Sequence, residues 1–273
     1  MYFITISEMA GTRGKEIAAR VAEKLNYTYF GEEELLKAAT DMGFLPDVRK
    51  LGEKSPPLLE KFFTEKPRVY LDRLQAIIYE VAKKGDAVFF GRGSQLLLHS
   101  FDCAFHVLIT GSLQKRIERI AEEMQVRKEM AAKIIHQSDR DKRGFFRFAF
   151  DEDWLNPQLY DLLLNTDKLS VDSAVKMIMD AAKSEEIKAC GIDSVKSLGR
   201  LSLQRKVEAA FLEAGIMNSN LFITVEDIDS VRLYGFVASP EEKEEIERIA
   251  RQVSGVKTVS NGLTLMKASM GGI

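Results

Sequence analysis

The first twenty residues constrain the fold of this chain more than any other segment. Residues 2–6 form an apolar run typical of a short buried strand, and a turn containing Gly11 and Gly14 leads into a helix predicted over Gly14–Leu25. Free main-chain N–H groups and the positive end of that helix meet at the turn, so this order predicts an anion-binding cradle. Phosphate is the first ligand group that such a cradle suggests.

The turn differs from the P-loop pattern G-x-x-x-x-G-K-[ST]. If Gly14 and Lys15 are the Gly-Lys pair, Met9 stands at the first glycine and Glu16 at the Mg²⁺-binding hydroxyl, while Thr12 offers a hydroxyl in another register. An ordinary strand–turn–helix corner with solvated cations is the alternative. The candidate phosphate-binding residues are Gly11, Thr12, Arg13, Gly14 and Lys15.

Composition excludes several classes of protein. The chain has 273 residues, 45% hydrophobic and 29% charged, as in soluble globular proteins. A formal net charge of -2 gives no global attraction to nucleic acid or to an anionic membrane. The sequence shows no signal-peptide pattern and no membrane-spanning run. Cys103 and Cys190 match no metal or redox spacing, and Cys103 is expected in the core. These features predict a cytoplasmic protein that binds no nucleic acid.

Strand-like and helix-like segments alternate up to about residue 183. Short apolar strands alternating with amphipathic helices predict an α/β fold of three layers, a parallel sheet with helices on both faces. Ligands of such sheets bind at the carboxyl ends of the strands, where the turn after Ile6 and the turn Gly91–Gly93 would lie. The strands are predicted at residues 2–6, 87–91, 104–109 and 162–165, and the helices at 14–25, 32–39, 68–84, 113–124, 128–146 and 171–182.

Two segments interrupt this pattern. Residues 40–67 hold four of the six prolines and predict either a substrate-side excursion or a structureless surface loop. Residues 184–199 resemble a linker. The segment after it predicts a helix over 203–214, two strands, a helix beginning at Ser239-Pro240 and a third strand, which is a small α+β unit of the order αββαβ.

Residues 1–183 resemble the cytidylate-kinase-like family of P-loop proteins. The resemblance is carried by five blocks in the same order: ITIS to GTRGKEIA (4–18), VFFGRGS (88–94), VLI to LQKRI (107–117), SDRDK to FF (138–146) and YDLLLNTDKLS (160–170). It implies a P-loop nucleoside monophosphate kinase fold, a nucleotide substrate, and ATP and Mg²⁺ as cofactors.

Residues 200–268 resemble a BON domain, with Gly235 at the position of its central glycine. The predicted organisation is therefore a kinase-like domain over 1–185, a linker over 186–199 and a BON-like domain over 200–268. The resemblance implies phospholipid or protein contacts, and eight basic against ten acidic residues over 200–265 disfavour an anionic bilayer. A regulatory or oligomerisation role is favoured, with a protein or lipid partner and a homo-oligomer left open. We expect the N-terminal unit to fold when residues 200–273 are deleted.

Three positions depart from the family's pattern. Glu8 and Lys142 stand where relatives usually carry Arg, and Arg13 stands where they usually carry Gly. Glu8 puts a negative charge beside the expected phosphates, and Arg13 adds a side chain where the main chain must approach a ligand closely. The changes at Glu8 and Arg13 both oppose tight nucleotide binding.

The remaining candidate site residues are mostly cations. Residues 111–147 contain ten Lys or Arg and six Asp or Glu, a local balance of +4. Such a stretch suits a lid that closes over phosphates, and a charged solvent-facing helix surface is the alternative. By resemblance, the catalytic candidates are Lys15, Arg92, Lys142 and Arg143, the acceptor side holds Arg92, Arg116 and Asp161, and no residue is assigned to a metal.

Three functions remain open on this evidence. The first is a kinase that moves the γ-phosphoryl group of ATP to a small acceptor such as CMP. The second is a catalytically impaired nucleotide sensor that signals through the BON-like unit. The third is an adaptor that binds no nucleotide. Glu8 and Glu16 favour the sensor, and the lid and Gly91-Arg92-Gly93 favour the kinase.

Overall fold

The computed structural model describes residues 2–42, 67–187 and 189–266, so most of the predicted excursion over 40–67 lies outside the described residues. The elements are β1 (Phe3–Glu8), α1 (Gly14–Leu25), β2 (Thr28–Phe30), α2 (Glu32–Asp41), α3 (Pro67–Ala82), β3 (Ala87–Phe90), α4 (Ser94–Leu97), β4 (Ala104–Thr110), α5 (Leu113–Glu123), α6 (Lys128–Phe150), a 3₁₀ turn (Pro157–Leu159), β5 (Leu162–Asn165), α7 (Val171–Ala182), α8 (Ile192–Glu213), β6 (Leu221–Asp227), β7 (Ser230–Val237), α9 (Pro240–Gln252) and β8 (Thr258–Leu265).

The chain divides into two compact units. The first contains the described residues up to 42 and those between 84 and 194, and the second contains residues 67–83 together with those from 195 onward. Helix α3 therefore belongs with the C-terminal segment, although it lies between β2 and β3 in sequence.

The first unit is built on a five-stranded parallel sheet in the order β2-β3-β1-β4-β5. Strand β1 is central, and Thr5 pairs with Phe89 on one side and His106 on the other. Its alternate side chains Ile4 and Ile6 pack into a cluster with α1 and α7. Because all five strands run the same way, the ends of β1, β3, β4 and β5 meet at one edge. The predicted α/β fold is confirmed.

The second unit contains the three-stranded sheet β6-β7-β8, and its order α8-β6-β7-α9-β8 confirms the predicted αββαβ arrangement. Gly235 has φ of 124°, and a Cβ there would lie 1.9 Å from the carbonyl oxygen of Asn220, so only glycine fits. Helix α8 begins at Ile192, eleven residues before the predicted start, and so runs through much of the predicted linker. The proposed boundaries at 185 and 200 remain a proposal.

Helix α3 is held to α8 by buried polar contacts. Ser202 Oγ lies 3.2 Å from the carbonyl oxygen of Ala76 and 3.0 Å from a carboxylate oxygen of Glu80. Lys206 pairs with the same Glu80 at 3.4 Å, and Arg205 pairs with Asp72 at 3.3 Å. These contacts make α3 an integral helix of the second unit.

The two cysteines, which showed no informative spacing in sequence, form a disulfide with their Cα atoms 5.0 Å apart. Cys103 is buried, as predicted. Among the described ranges, none of the helices combines the length and the apolar character needed to cross a bilayer.

Candidate functional site

The turn between β1 and α1 has the backbone shape of an anion cradle. Gly11 and Arg13 both lie in the left-handed region, with φ of 84° and 61°. A Cβ on Gly11 would lie 2.8 Å from the carbonyl oxygen of Arg116, so glycine is required there. Arg13 carries a side chain at a φ that costs most residues about 1–2 kcal/mol. The exposed side chains of Arg13 and Lys15 leave the inside of the turn to main-chain groups.

The carboxylate of Glu8 occupies this cradle. Its Oε2 accepts a hydrogen bond of 2.7 Å from the N–H of Gly14, the first residue of α1, and the N–H of Lys15 also donates to this carboxylate. Thr12 Oγ1 lies 3.4 Å from the same oxygen. A negative charge at the positive end of a helix is stabilised there. The protein therefore supplies its own anion where a phosphate oxygen was expected.

Lys142 completes the surroundings of Glu8. Its Nζ donates to the main-chain carbonyl of Glu8 and lies 4.7 Å from the centre of the Trp154 ring, a cation–π contact. Burial raises the pKa of Glu8 above its usual range, and Lys142 together with the N–H groups of Gly14 and Lys15 offsets only part of that increase. Burial likewise lowers the pKa of Lys142, while Glu8 and Asp139 raise it. Lys142 is thus committed to the protein's own main chain.

Arg116 is bonded to protein groups next to the turn and does not line the cleft described below. Its guanidinium makes two bonds to the Asp139 carboxylate, at 2.7 and 3.0 Å, and its Nε donates to the carbonyl of Ala10 at 2.7 Å. The residue is only 3% exposed. Arg119, from the next turn of α5, donates to Thr166 Oγ1 at 3.0 Å. Both arginines hold the loops around the turn together.

Arg92 lies in a second turn at the same edge of the sheet. Gly91, Arg92 and Gly93 all have left-handed φ values, 71°, 60° and 73°. At Gly93 an added Cβ would lie 2.5 Å from the Phe150 ring. The Arg92 guanidinium pairs with Glu32 of α2 at 2.9 Å, and its side chain keeps 20% exposure. Arg92 is therefore positioned at a cleft but held by an acidic partner.

An open cleft of about 1580 Å³ lies in front of both turns. Its lining includes an acidic part, Glu32, Glu33 and Glu34 at the start of α2, and a part contributed by the basic helix α6. Tyr29 lies on the acidic side, and burial together with Glu34, Glu8 and Glu33 raises its pKa to about 12. The α6 wall contributes Lys133, Gln137, Arg140, Asp141, Lys142 and Phe145. The cleft could hold a ligand with both an anionic end and hydrogen-bond donors.

The predicted site residues that do not line this cleft are Gly11, Thr12, Arg13, Gly14, Arg116, Arg143 and Asp161. Arg143 borders a smaller cavity of about 380 Å³ with His136, Asp139 and Arg140. Asp161 precedes β5 and is therefore at the amino end of the sheet, away from the carboxyl edge. Its Oδ2 accepts the main-chain N–H of His106 at 2.7 Å. The structure thus brings Lys15, Arg92 and Lys142 to one cleft and gives Asp161 a strand-bridging contact.

His106, which Asp161 helps to hold, should make the stability of the protein depend on pH. Burial lowers its pKa to about 4, with a further decrease from His99 and a partial increase from Asp161. A histidine with a depressed pKa in the folded state stabilises the fold above pH 6.5 and loses that contribution as the pH falls toward 4. At about 1.4 kcal/mol per pKa unit, the loss amounts to about 3 kcal/mol.

Urea unfolding of the wild type and of His106→Asn between pH 7 and pH 4 measures this dependence. The variant should show a shallower decrease in the free energy of unfolding than the wild type, while the exposed His136→Asn should follow the wild type. Parallel curves for all three proteins would assign the acid sensitivity to other groups.

Mg²⁺-ATP does not fit the turn in this arrangement. The Gly14 N–H that would bind a phosphate oxygen already donates to Glu8, and a Cβ on Gly14 would lie only 2.6 Å from the Glu8 side chain. At the position of the metal-binding hydroxyl, Glu16 pairs with Arg20 at 2.7 Å. The residues present therefore offer neither a free cradle nor the usual metal ligand.

Sequence reasoning identified the turn and the charges at Glu8 and Arg13, but not where the side chain of Glu8 lies. It also missed Tyr29 and the pairing of Arg116 with Asp139. The signal for Glu8 was present, because this acidic residue at the end of β1 lies three residues before Gly11, in a turn that needs an anion. The partners of Arg116 had no such local signal, since Asp139 is 23 residues away.

The comparisons with known proteins identify the families that the two segments match. Residues 3–168 match the sequence model of the Cytidylate kinase-like family, and residues 201–267 match that of the BON domain. A cytidylate kinase of Methanocaldococcus jannaschii is 25% identical over 65% of this chain and 96% of its own length. One from Staphylothermus marinus is 32% identical over 66% of this chain and 96% of its own length.

Among solved structures, an uncharacterized protein from Eubacterium ventriosum superimposes with a TM-score of 0.54 at 20% identity, covering 68% of this chain and all of that one. This likeness supports the fold alone. The family match spans more than half of the chain and contains both turns of the cleft, so the protein belongs to the cytidylate kinase-like family and carries a C-terminal BON domain.

Proposed function

We propose that the N-terminal unit is a catalytically impaired nucleotide sensor, which binds a nucleoside monophosphate in the cleft and signals through the BON domain. The observation that carries this proposal is the Glu8 carboxylate on the N–H of Gly14. Phosphoryl transfer depends on positioned donors that neutralise charge on the phosphates. In this chain the donors of the turn are already engaged by an internal carboxylate.

The bonds made by two of the cations also support impaired catalysis. Arg116 is bonded to Asp139, and Lys142 is bonded to the main chain of Glu8. Neither side chain is therefore available to stabilise the negative charge of a phosphoryl group during its transfer. The cleft itself stays open, and its basic wall on α6 suits the phosphate of a monophosphate. Binding without efficient turnover is the behaviour that this combination supports.

A second candidate is phosphoryl transfer from ATP to a small acceptor such as CMP. It is favoured by the cations that remain at the cleft, Lys15, Lys133 and Arg140, and by the shape of the turn, which keeps the left-handed residues of a phosphate cradle. Under this candidate, ATP and Mg²⁺ would be cofactors and the acceptor a nucleoside monophosphate. The BON domain would then have a protein or lipid partner or mediate self-association.

Turnover and binding measured on the same preparation separate these candidates. We expect calorimetry to detect CMP or another nucleoside monophosphate with a Kd of about 1 µM–1 mM, the usual range of KM values. A coupled assay with ATP, Mg²⁺ and a panel of monophosphates should give turnover at least about 10²-fold below the 1–100 s⁻¹ of active kinases. Turnover within that range would establish the kinase, and absence of both signals would leave only the adaptor.

A further inference from the structure

The side chain of Glu8 lies across the start of α1 in a way that fills the turn. Its Oε2 is 2.7 Å from the N–H of Gly14 and 3.4 Å from Thr12 Oγ1. The Thr12 hydroxyl also donates to the carbonyl of Met9 at 2.8 Å. Residues on both sides of the turn are therefore bonded to each other next to the carboxylate. A second anion could reach these N–H groups only after the carboxylate moved away.

The charge around the turn is balanced without any ligand. The Glu8 carboxylate meets the positive end of α1, while Lys142 donates to the main-chain carbonyl of the same residue. A phosphate group entering here would add negative charge beside Glu8, and like charges at this distance repel strongly in a partly buried site. The obstacle to phosphate is therefore both steric and electrostatic.

We propose that Glu8 is an autoinhibitory internal anion, which keeps phosphate out of a turn that is otherwise shaped to bind it. This inference rests on the proposed function, and it names the residue that occupies the N–H groups expected to bind the phosphates of a donor nucleotide. The main-chain partner of Lys142 is retained in any substitution at position 8, because the bond is to the carbonyl of Glu8 and not to its carboxylate. A substitution there removes the carboxylate, and with it one of the two acidic neighbours of Lys142, while the bond from Lys142 to the main chain and its neighbour Asp139 remain.

Two variants test the proposal by separating charge from volume. Glu8→Ala removes both, and Glu8→Gln removes the charge but keeps the bulk of the side chain. Glu23→Gln is the matched control, because Glu23 is an exposed carboxylate on the last turn of the same helix, far along it from the phosphate turn. Binding of inorganic phosphate and of ATP with Mg²⁺ is measured by calorimetry at low salt, with the melting temperature as a check of folding.

Glu8→Ala should bind phosphate at least about tenfold more tightly than the wild type, since a charge-assisted competitor has been removed. Glu8→Gln should gain less, and Glu23→Gln should not change. Equal phosphate affinity of wild type and folded Glu8→Ala would overturn the inference. If Glu8→Ala does not fold, the same comparison with Glu8→Gln decides, and no gain in that variant overturns it.

Failure of the proposed role of Glu8 can be distinguished from failure of the proposed sensor function. If the wild type turns over monophosphates at a kinase rate, the proposed sensor fails, and the phosphate affinities still show whether Glu8 competes. If the wild type binds CMP without turnover but the Glu8 variants gain nothing, the sensor stands and the autoinhibitory role of Glu8 is excluded.

Discussion

Replacing Arg116 by Ala should lower the free energy of unfolding by about 3 kcal/mol, the lower end of the range for breaking a buried ion pair. The side chain of Arg116 is 4% exposed and that of Asp139 is 27% exposed, so removal of the guanidinium leaves a half-buried carboxylate without its main partner. The carbonyl of Ala10 loses its donor as well. A decrease of about 6–12 °C in the melting temperature is expected for a unit of this size.

Two comparisons separate this structural role from substrate binding. Lys115→Ala, on the same helix, removes an exposed ion pair with Glu118 and should cost less than about 0.5 kcal/mol. The double variant Arg116→Met/Asp139→Leu should recover most of the lost stability, because an apolar pair leaves no unpaired charge. If Arg116→Ala kept its stability but lost nucleotide affinity, Arg116 would be the acceptor-side residue that the resemblance implies.

The fold could be predicted from sequence because its signals are local. Alternating apolar runs and amphipathic helices gave the parallel sheet, and the helix limits Gly14–Leu25 and Val171–Ala182 agree with the structure. Strand β2 was missed because its three residues, Thr28–Phe30, are too few for a periodic pattern. The early start of α8 was missed because Gly191, Ser194, Ser197 and Gly199 resemble a linker.

The candidate site could be predicted only in part. The turn and its glycines follow from residue type, because a left-handed φ and a close approach to Arg116 require glycine at position 11. What each charged side chain binds depends on partners that are distant in sequence. Lys142 donates to a carbonyl 134 residues away in sequence. Asp161 accepts the main-chain N–H of His106, 55 residues before it. Such pairings carry no periodicity that a single sequence could reveal.

The place of α3 also could not be predicted from sequence. Its position between β2 and β3 suggests a helix of the parallel-sheet unit, yet its polar partners Ser202, Arg205 and Lys206 all lie on α8. This arrangement bears on the expectation that the N-terminal unit folds without residues 200–273. That deletion would remove every one of these partners while leaving α3 in the chain.

Deletion of residues 200–273 should therefore abolish the cooperative melting of the remaining chain or lower its melting temperature by more than about 10 °C. Ala76, Ile77 and Ile78 of α3 are at most 3% exposed in the complete chain. Exposing the two isoleucines costs about 3–6 kcal/mol, a large part of the stability of a typical domain. Glu80 would in addition lose Ser202 and Lys206.

Differential scanning calorimetry and light scattering on the truncated and complete chains provide the measurement. Met217→Ala in the complete chain is the control, because Met217 is 79% exposed in the same unit and should melt like the wild type. We expect the truncated chain to aggregate or to melt without a sharp transition. The opposite result would be a truncated chain that stays monomeric and melts cooperatively within a few degrees of the complete one. It would mean that the remaining chain folds without the deleted contacts to α3, and that the C-terminal segment is a separable module.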